Sequence, residues 1–487
     1  MYYIGIDLGT SAVKLLMMDG TGNVTRIVSR TYPLHFPQPG WAEQDPQDWY
    51  DQTAAGLREL LEGIDPAEIE AVSFAGQMHG LVALDEHDQL LRPAILWNDG
   101  RTGSQTEYLN ETVGKTALVG YTSNIAFAGF TAPKLLWMRE HEPELFSRIN
   151  KTMLPKDYLL YRFTGVHATD YSDASGTLLL DVPRKSWSKD MLRLCDLRED
   201  VLPQLYESWE QVGVLTEDAA GDTGLAAGTP VIAGAADNAA AAVGTGTIGA
   251  GSCNVSLGTS GTLFVCGDSF QAHPEVPLHH FVHADGGYHL LGCMLSAASC
   301  NQWWCDDILG TSDYDAESSG ISRLGENPVF FAPYLTGERC PHNDPDVRGT
   351  FLGLSRDTSR AQMTQAVYEG VAFGLRECLD DARQLGAKVE SATICGGGAK
   401  SSIWRTITAN ILDLPLTTVV CEEGPGYGAA ILAAVGSGAF ESVADATKQL
   451  IRSKDQILPD PDLVSKYEER YEKYRKIYPA IRDLFKE

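Results

Sequence analysis

Basic patches are the first thing this chain lacks. Its 38 Lys and Arg stand against 65 Asp and Glu, a formal charge of −27 at pH 7, and no run of Lys or Arg relieves the excess. Such a surface repels the phosphates of DNA, RNA and anionic lipid, so no nucleic-acid or membrane partner is expected. Apolar runs are short too. None reaches the roughly 18 uncharged apolar residues of a transmembrane helix, and MYYIGIDLG carries Asp7 where a signal peptide would be apolar. Cysteine is present but unpatterned: all ten lie between Cys195 and Cys421, none in a C-x-x-C pair, inside apolar runs such as ATIC, SAASC and LFVC. That usage predicts buried, reduced thiols in a cytoplasmic protein, with Cys300 and Cys305 as core packing.

Two nucleotide fingerprints and a metal site are also missing. Gly244, Gly246 and Gly249 spell G-x-G-x-x-G, but they follow the helix-like AAAAV where a strand is required. Gly114-Lys115-Thr116 ends like a P-loop, yet Leu109 stands where its first glycine should be. His279-His280 and the other His spell no zinc motif such as H-E-x-x-H, so a protein-caged metal is not expected.

What is present is an echo. Leu8-Gly9-Thr10-Ser11 returns half a chain later as Leu257-Gly258-Thr259-Ser260, each copy between two apolar runs. Both read as strand, tight turn, strand. At ~150 residues per domain the 487 residues predict two or three domains. The repeat selects two similar halves, 1–246 and 247–487, with a flexible boundary from Thr245 to Ser252 in GTGTIGAGS. Strands and helices alternate onward, the mark of an α/β fold with buried sheets. Ser359 to Gln362 reads as a capping box opening a helix to about Gly386. KVESATIC follows as strand, SSIWRTITANIL as helix, PLTTVV as strand and YGAAILAAVG as helix. Residues 462–485 read as helical with a core-packing stripe of Tyr467, Tyr471, Tyr474 and Tyr478, and with a kink at Pro479.

A Gly-Thr-Ser turn offers backbone N–H groups and hydroxyls to phosphate oxygens, and two such turns could grip one polyphosphate. Position 7 is Asp where its counterpart is Ser256. A carboxylate there repels phosphate unless a cation intervenes, which suggests Mg²⁺ held at Asp7 through water and phosphate; a turn-stabilising Asp is the alternative. Gly396-Gly397-Gly398-Ala399, between strand and helix, gives a nucleotide base a close approach to backbone. Asp237 ends a strand ahead of a short helix, either as an N-cap or as a general base kept weak by the helix N-terminus. His79 in GQMHG and the Asn98-Asp99 pair in WNDGR suit sugar hydroxyls. A structural His and a salt-bridged surface turn are the competing readings.

These motifs resemble the FGGY carbohydrate kinases over essentially the whole chain. Gly129 through His141 fits the first family signature, and Gly349 through Gly353 to Glu369 the second. GQMHG, PAILWNDGR, LPKDY, PYLTGER followed by PHN, and SLGTSG are similar to the branch that phosphorylates the 5-hydroxyl of D-xylulose. The resemblance implies two actin-like, ribonuclease H-like domains with the active site in the cleft between them. It also implies ATP with Mg²⁺ as cofactor, the sugar and ATP as partners, and a homodimer as one possible assembly. By it, Met78 and His79 contact the ketopentose and Asp237 is the catalytic base. The turns at Asp7 to Ser11 and Ser256 to Gly261 are the phosphate motifs, and Gly396 to Ala399 border adenosine. Ala235 and Ala236 stand where the family pattern suggests glycines, which touches only the fine positioning of Asp237.

Overall fold

The computed structural model describes residues 1–486. Two seven-stranded sheets form its frame. In the first, β1 (Tyr2–Leu8), β2 (Ala12–Asp19) and β3 (Val24–Thr31) make an antiparallel meander, and β4 (Ile69–Gly76) lies parallel on the other side of β1. With β5 (Gln211–Val214) and β6 (Pro230–Ile232) the order is β5-β6-β4-β1-β2-β3, and the short β7 (Ala235–Ala236) also pairs with β4. The second sheet repeats the plan. Here β8 (Ser252–Leu257) and β9 (Gly261–Gly267) form the central hairpin, with β10 (His279–Val282) and β11 (Tyr288–Met294) outside it. On the far side lie β12 (Ser391–Cys395), β13 (Leu416–Val419) and β14 (Ser453–Ile457), in the order β10-β11-β9-β8-β12-β13-β14. The repeated Leu-Gly-Thr-Ser therefore marks one place in both sheets, the turn between the central antiparallel strands.

The helices that shape the site are α1 (Pro46–Leu60), α2 (Thr131–His141), α3 (Pro155–Thr164), α4 (Tyr171–Ser175) and α5 (Asp237–Gly244). From the second half come α6 (Ala298–Gln302), α7 (Arg360–Gln384), α8 (Ser402–Leu412), α9 (Gly424–Gly436), α10 (Val443–Leu450), α11 (Pro461–Tyr474) and α12 (Ile477–Ile481). The predicted capping box opens α7: Ser359 Oγ accepts the Gln362 N–H at 3.2 Å, and Gln362 Oε1 accepts the Ser359 N–H at 2.9 Å. Only Ser391–Cys395 of KVESATIC is strand. The C-terminal segment is not one helix. It breaks at Arg475 and Lys476, ahead of Pro479, because a proline at that point clashes with the carbonyl four residues back, that of Arg475.

Period-two alternation gives β1 two faces. Ile4, Ile6 and Leu8 are fully buried in the core that α1 covers. Tyr3, Gly5 and Asp7 point the other way, toward α9. That helix belongs to the second half by sequence but packs on the first sheet and along α5, in one core with Tyr3, Ala71 and Ala240. Glycine makes this possible: a Cβ on Gly5 would lie 1.9 Å from the Gly426 carbonyl oxygen, and one on Gly428 1.8 Å from that of Ala240. All ten Cys are free thiols; Cys293, Cys395 and Cys421 are half-buried, not fully buried as expected. Among the described residues no helix is long and apolar enough to cross a membrane.

Candidate active site

Both Gly-Thr-Ser turns are fixed from behind. In the first, the Gly9 N–H closes on the Ala12 carbonyl at 3.0 Å, the Trp97 indole donates to Thr10 Oγ1 at 2.9 Å, and Gln44 Nε2 donates to the Thr10 carbonyl at 2.7 Å. In the second, Ala298 N–H binds the Gly258 carbonyl at 2.8 Å and Ala297 N–H the Thr259 carbonyl at 2.9 Å. The N–H groups of Thr10, Ser11, Gly258, Thr259 and Ser260 meet no acceptor among the described residues. Forward-facing donors of this kind suit phosphate oxygens.

The third turn rests on the second. Gly396 has φ 91°, and a Cβ there would lie 2.6 Å from the Leu257 carbonyl carbon, so only glycine fits. Beside it opens a cavity of about 580 Å³ lined by Thr259, Gln302, Tyr368, Gly397, Gly398 and Lys400. Gly396 and Ala399 line a neighbouring one of about 550 Å³ that reaches Ala241 of α5.

Asp7 and Asp237 face each other where α5 and α9 begin. Asp237 is the first helical residue, not the cap, which is Ala236; its carboxyl accepts the Asn238 N–H at 2.7 Å. Burial pushes this carboxyl up to about 6, partly opposed by that hydrogen bond. The helix N-terminus does not keep it a weak base, as expected from sequence, because desolvation outweighs it. Burial and the Asp237 charge push Asp7 up to about 7, while the Lys14 charge opposes them. Lys14 reaches Glu423 at 2.8 Å. Two carboxyls lifted by burial, Asp7 also by the Asp237 charge, form a hard-oxygen pair that fits a Mg²⁺ ion. Among the described residues no three His, Cys, Asp or Glu cluster to cage a metal, so water and phosphate would complete its shell.

The sugar candidates sit next to Asp237. Asn238 Nδ2 donates to Met78 Sδ at 3.2 Å. His79 has φ 68° and gives its Nδ1 hydrogen to the Gly176 carbonyl at 2.7 Å. Burial holds the imidazole neutral, down to about 3. With Nδ1 donating, Nε2 is left as an acceptor.

Comparison with known proteins shows the family. Residues 2–244 match the N-terminal domain of the FGGY family of carbohydrate kinases and residues 253–437 its C-terminal domain. The chain belongs to that family. As an FGGY kinase it is an ATP-dependent sugar kinase. It is 41% identical over 486 residues to the xylulose kinase of Escherichia coli (strain K12), covering 99% of both chains. Among solved structures it resembles a xyloylose kinase from Brucella ovis (38% identity, TM-score 0.93, 99% and 100% of the two chains). It also resembles a gluconate kinase from Lactobacillus acidophilus (27% identity, TM-score 0.94, 99% of each).

Not every candidate of the sequence reaches the site of this FGGY kinase. The Asp99 side chain is fully buried, and its carboxylate takes the Ala42 N–H at 2.6 Å and Arg101 Nη2 at 2.7 Å. The salt-bridged turn is therefore the structure adopted, and Asp99 has no oxygen to offer a sugar. Asn98 is exposed and unengaged. Sequence reasoning missed Asn238, whose Oδ1 is buried without a partner, and Lys400, legible only as the lone cation after the glycine run. Gly176 is a further test of the site. A Cβ there would lie 2.6 Å from His79 Nδ1 and 2.9 Å from Met78 Cε, so Gly176→Ala should raise KM for the sugar ~10-fold or more with ATP affinity unchanged. Steady-state kinetics in each substrate checks this.

Proposed function

We propose that this FGGY kinase transfers the γ-phosphoryl group of ATP to the 5-hydroxyl of D-xylulose, with Asp237 as general base. The observation behind this is that the Asp237 charge acts on Asp7 ahead of the first phosphate turn while Asn238, the next residue, binds Met78, with full-length similarity to xylulose kinases supporting the substrate. Asp237 takes the hydroxyl proton; near neutral pH a carboxyl lifted to about 6 is mostly ionised and still basic. Neutral His79 accepts a sugar hydroxyl at Nε2, and Asn238 Oδ1 supplies another acceptor. Gly9, Thr10, Ser11, Gly258, Thr259 and Ser260 bind the phosphates, and Gly396 to Ala399 border adenosine. Mg²⁺ beside Asp7 would supply charge neutralisation at the β- and γ-phosphates.

The body built on the first sheet, which includes α9 and α10, and the body built on the second sheet then close about Thr245 to Ser252, where Gly246, Gly249 and Gly251 hold φ of 71°, 72° and 92°. Closure excludes water, a competing nucleophile. The enzyme works in the cytoplasm, where ten free thiols persist.

A substrate panel in a coupled ADP-release assay tests the reading. The highest kcat/KM is expected on D-xylulose. A higher value on gluconate, a polyol or another ketopentose assigns a different sugar, and ATP hydrolysis without any phosphosugar removes transfer altogether.

A further inference from the structure

Arg339 is a cation that the reaction above does not use. It lies one residue before Cys340, whose N–H binds the Cys293 carbonyl at 3.1 Å near the end of β11. The next residue, Met294, pairs with Gly261 at the second phosphate turn. The Glu338 carboxylate fixes this corner, taking the N–H of Arg339 and of Leu295, both at 2.8 Å. Leu295 leads directly into the 297–299 segment that holds the Gly258 and Thr259 carbonyls.

The Arg339 side chain is half-buried, yet among the described residues nothing accepts from its guanidinium. Its charge disfavours protonation of His79 and His279 and favours ionisation of Cys293, on which Asp237 acts in the opposite sense. Cys293 lies two residues along β11 from Leu291, the partner of His279 in β10, and the His279 and His79 rings are 6.5 Å apart, which puts the Arg339 corner of the second half on the sugar side of the cleft, facing residues of the first. The other cation that acts on His79, Lys134, is engaged with the His79 carbonyl at 2.7 Å and the Gly129 carbonyl at 2.5 Å.

A half-buried guanidinium without a partner needs an anion. The carboxylates of the site, Asp7 and Asp237, repel phosphate. D-Xylulose is neutral. The one anion that enters this space is the phosphoryl group in transit, whose paired oxygens match the planar fork. Resting on the function proposed above, we infer that Arg339 grips the transferred phosphoryl group from the sugar side, first as it leaves ATP and then as the 5-phosphate of the product. The bond from the sugar 5-oxygen to the γ-phosphorus forms, and the bond to the β–γ bridging oxygen breaks with its electron pair leaving on ADP. The hydroxyl proton goes to Asp237, and Arg339 neither gains nor loses a proton.

The test compares Arg339→Ala and Arg339→Lys with the wild type in kcat, and by calorimetry against D-xylulose and D-xylulose 5-phosphate without nucleotide. Arg339→Ala should lower kcat ~10²–10³-fold, the effect of one preorganised donor at developing charge. It should weaken D-xylulose 5-phosphate ~10-fold or more and leave D-xylulose within ~2-fold, while Arg339→Lys recovers part of each loss by charge without the fork. Equal weakening of the sugar and its phosphate makes Arg339 a sugar ligand and overturns the proposal; so does unchanged kcat. Should the alanine variant melt early, the lysine variant's split between sugar and phosphosugar decides. If the wild type ignores D-xylulose, the function falls on its own, and the same comparison runs on the accepted sugar and its phosphate ester.

Discussion

Asp237→Asn is expected to lower kcat on D-xylulose by ~10²–10⁴-fold, the range for a positioned acid–base group. The amide keeps the volume and can still accept the Asn238 N–H, now at 2.7 Å from the carboxylate. What it cannot do is take a proton. KM for the sugar should stay within a few-fold, since Met78, His79 and Asn238 are untouched. The pH profile separates this from a packing defect. Protonated Asp237 is inactive, and burial sets its carboxyl at about 6, so wild-type kcat/KM should fall as pH drops through that value. In the variant the same acid limb should vanish from the residual rate. Stability should move the other way. A carboxyl lifted above its unfolded value stabilises the fold only while protonated, and that contribution is lost as pH rises through 6. At pH 7 the asparagine variant should therefore melt no earlier than the wild type. Near-normal turnover of a well-folded variant would refute Asp237 as the base.

Much of this was legible because it is local. The Leu-Gly-Thr-Ser turns and the capping box at Ser359 each have their cause within a few residues, so letters alone place them; the glycine run at Gly396 is visible in the letters, but its cause is the distant Leu257 carbonyl. Asp99 was not legible for the opposite reason. The string NDGR serves a sugar or a salt-bridged turn equally well, and what decides is the Ala42 N–H, 57 residues away. The place of α9 is likewise nonlocal: GPGYGAAILAAVG reads as a buried helix, but not as one that crosses to the other half's sheet. Its glycines at 424, 426 and 428 are the trace of that crossing, intelligible only once Gly5, Ala240 and Gly244 are seen against them. The basicity of Asp237 fails in the same way. A helix N-terminus can be read from sequence, whereas desolvation depends on everything packed around the cleft, and here it is the larger effect.

Lys156→Met should cost roughly 3–5 kcal/mol of folding stability, the penalty for stranding buried charge. The Lys156 ammonium lies 2.6 Å from Asp157, 2.8 Å from Asp170 and 3.8 Å from Asp173, and all four side chains are fully buried. One cation cannot balance three carboxylates. Burial accordingly pushes Asp157 up and Asp173 well up, and neither oxygen of Asp173 has a hydrogen-bond partner. The cluster also supports the active site. Asp170 caps α4 through the Ser172 N–H at 2.9 Å, Ser172 Oγ receives the Ala236 N–H at 3.0 Å beside Asp237, and Gly176 at the end of α4 holds His79. Methionine fills the space but leaves the carboxyls without a counter-charge, so they must be protonated in the fold. Because their folded values then lie above their unfolded ones, the variant's deficit should shrink as pH falls from 7 toward 5. Urea denaturation of both proteins at the two pH values measures this. A loss under ~1 kcal/mol, or a deficit that widens toward acid, would show that the three aspartates do not depend on Lys156. Where the variant stays folded, a rise in KM for the sugar should accompany the lost stability, since α4 and His79 share the same support.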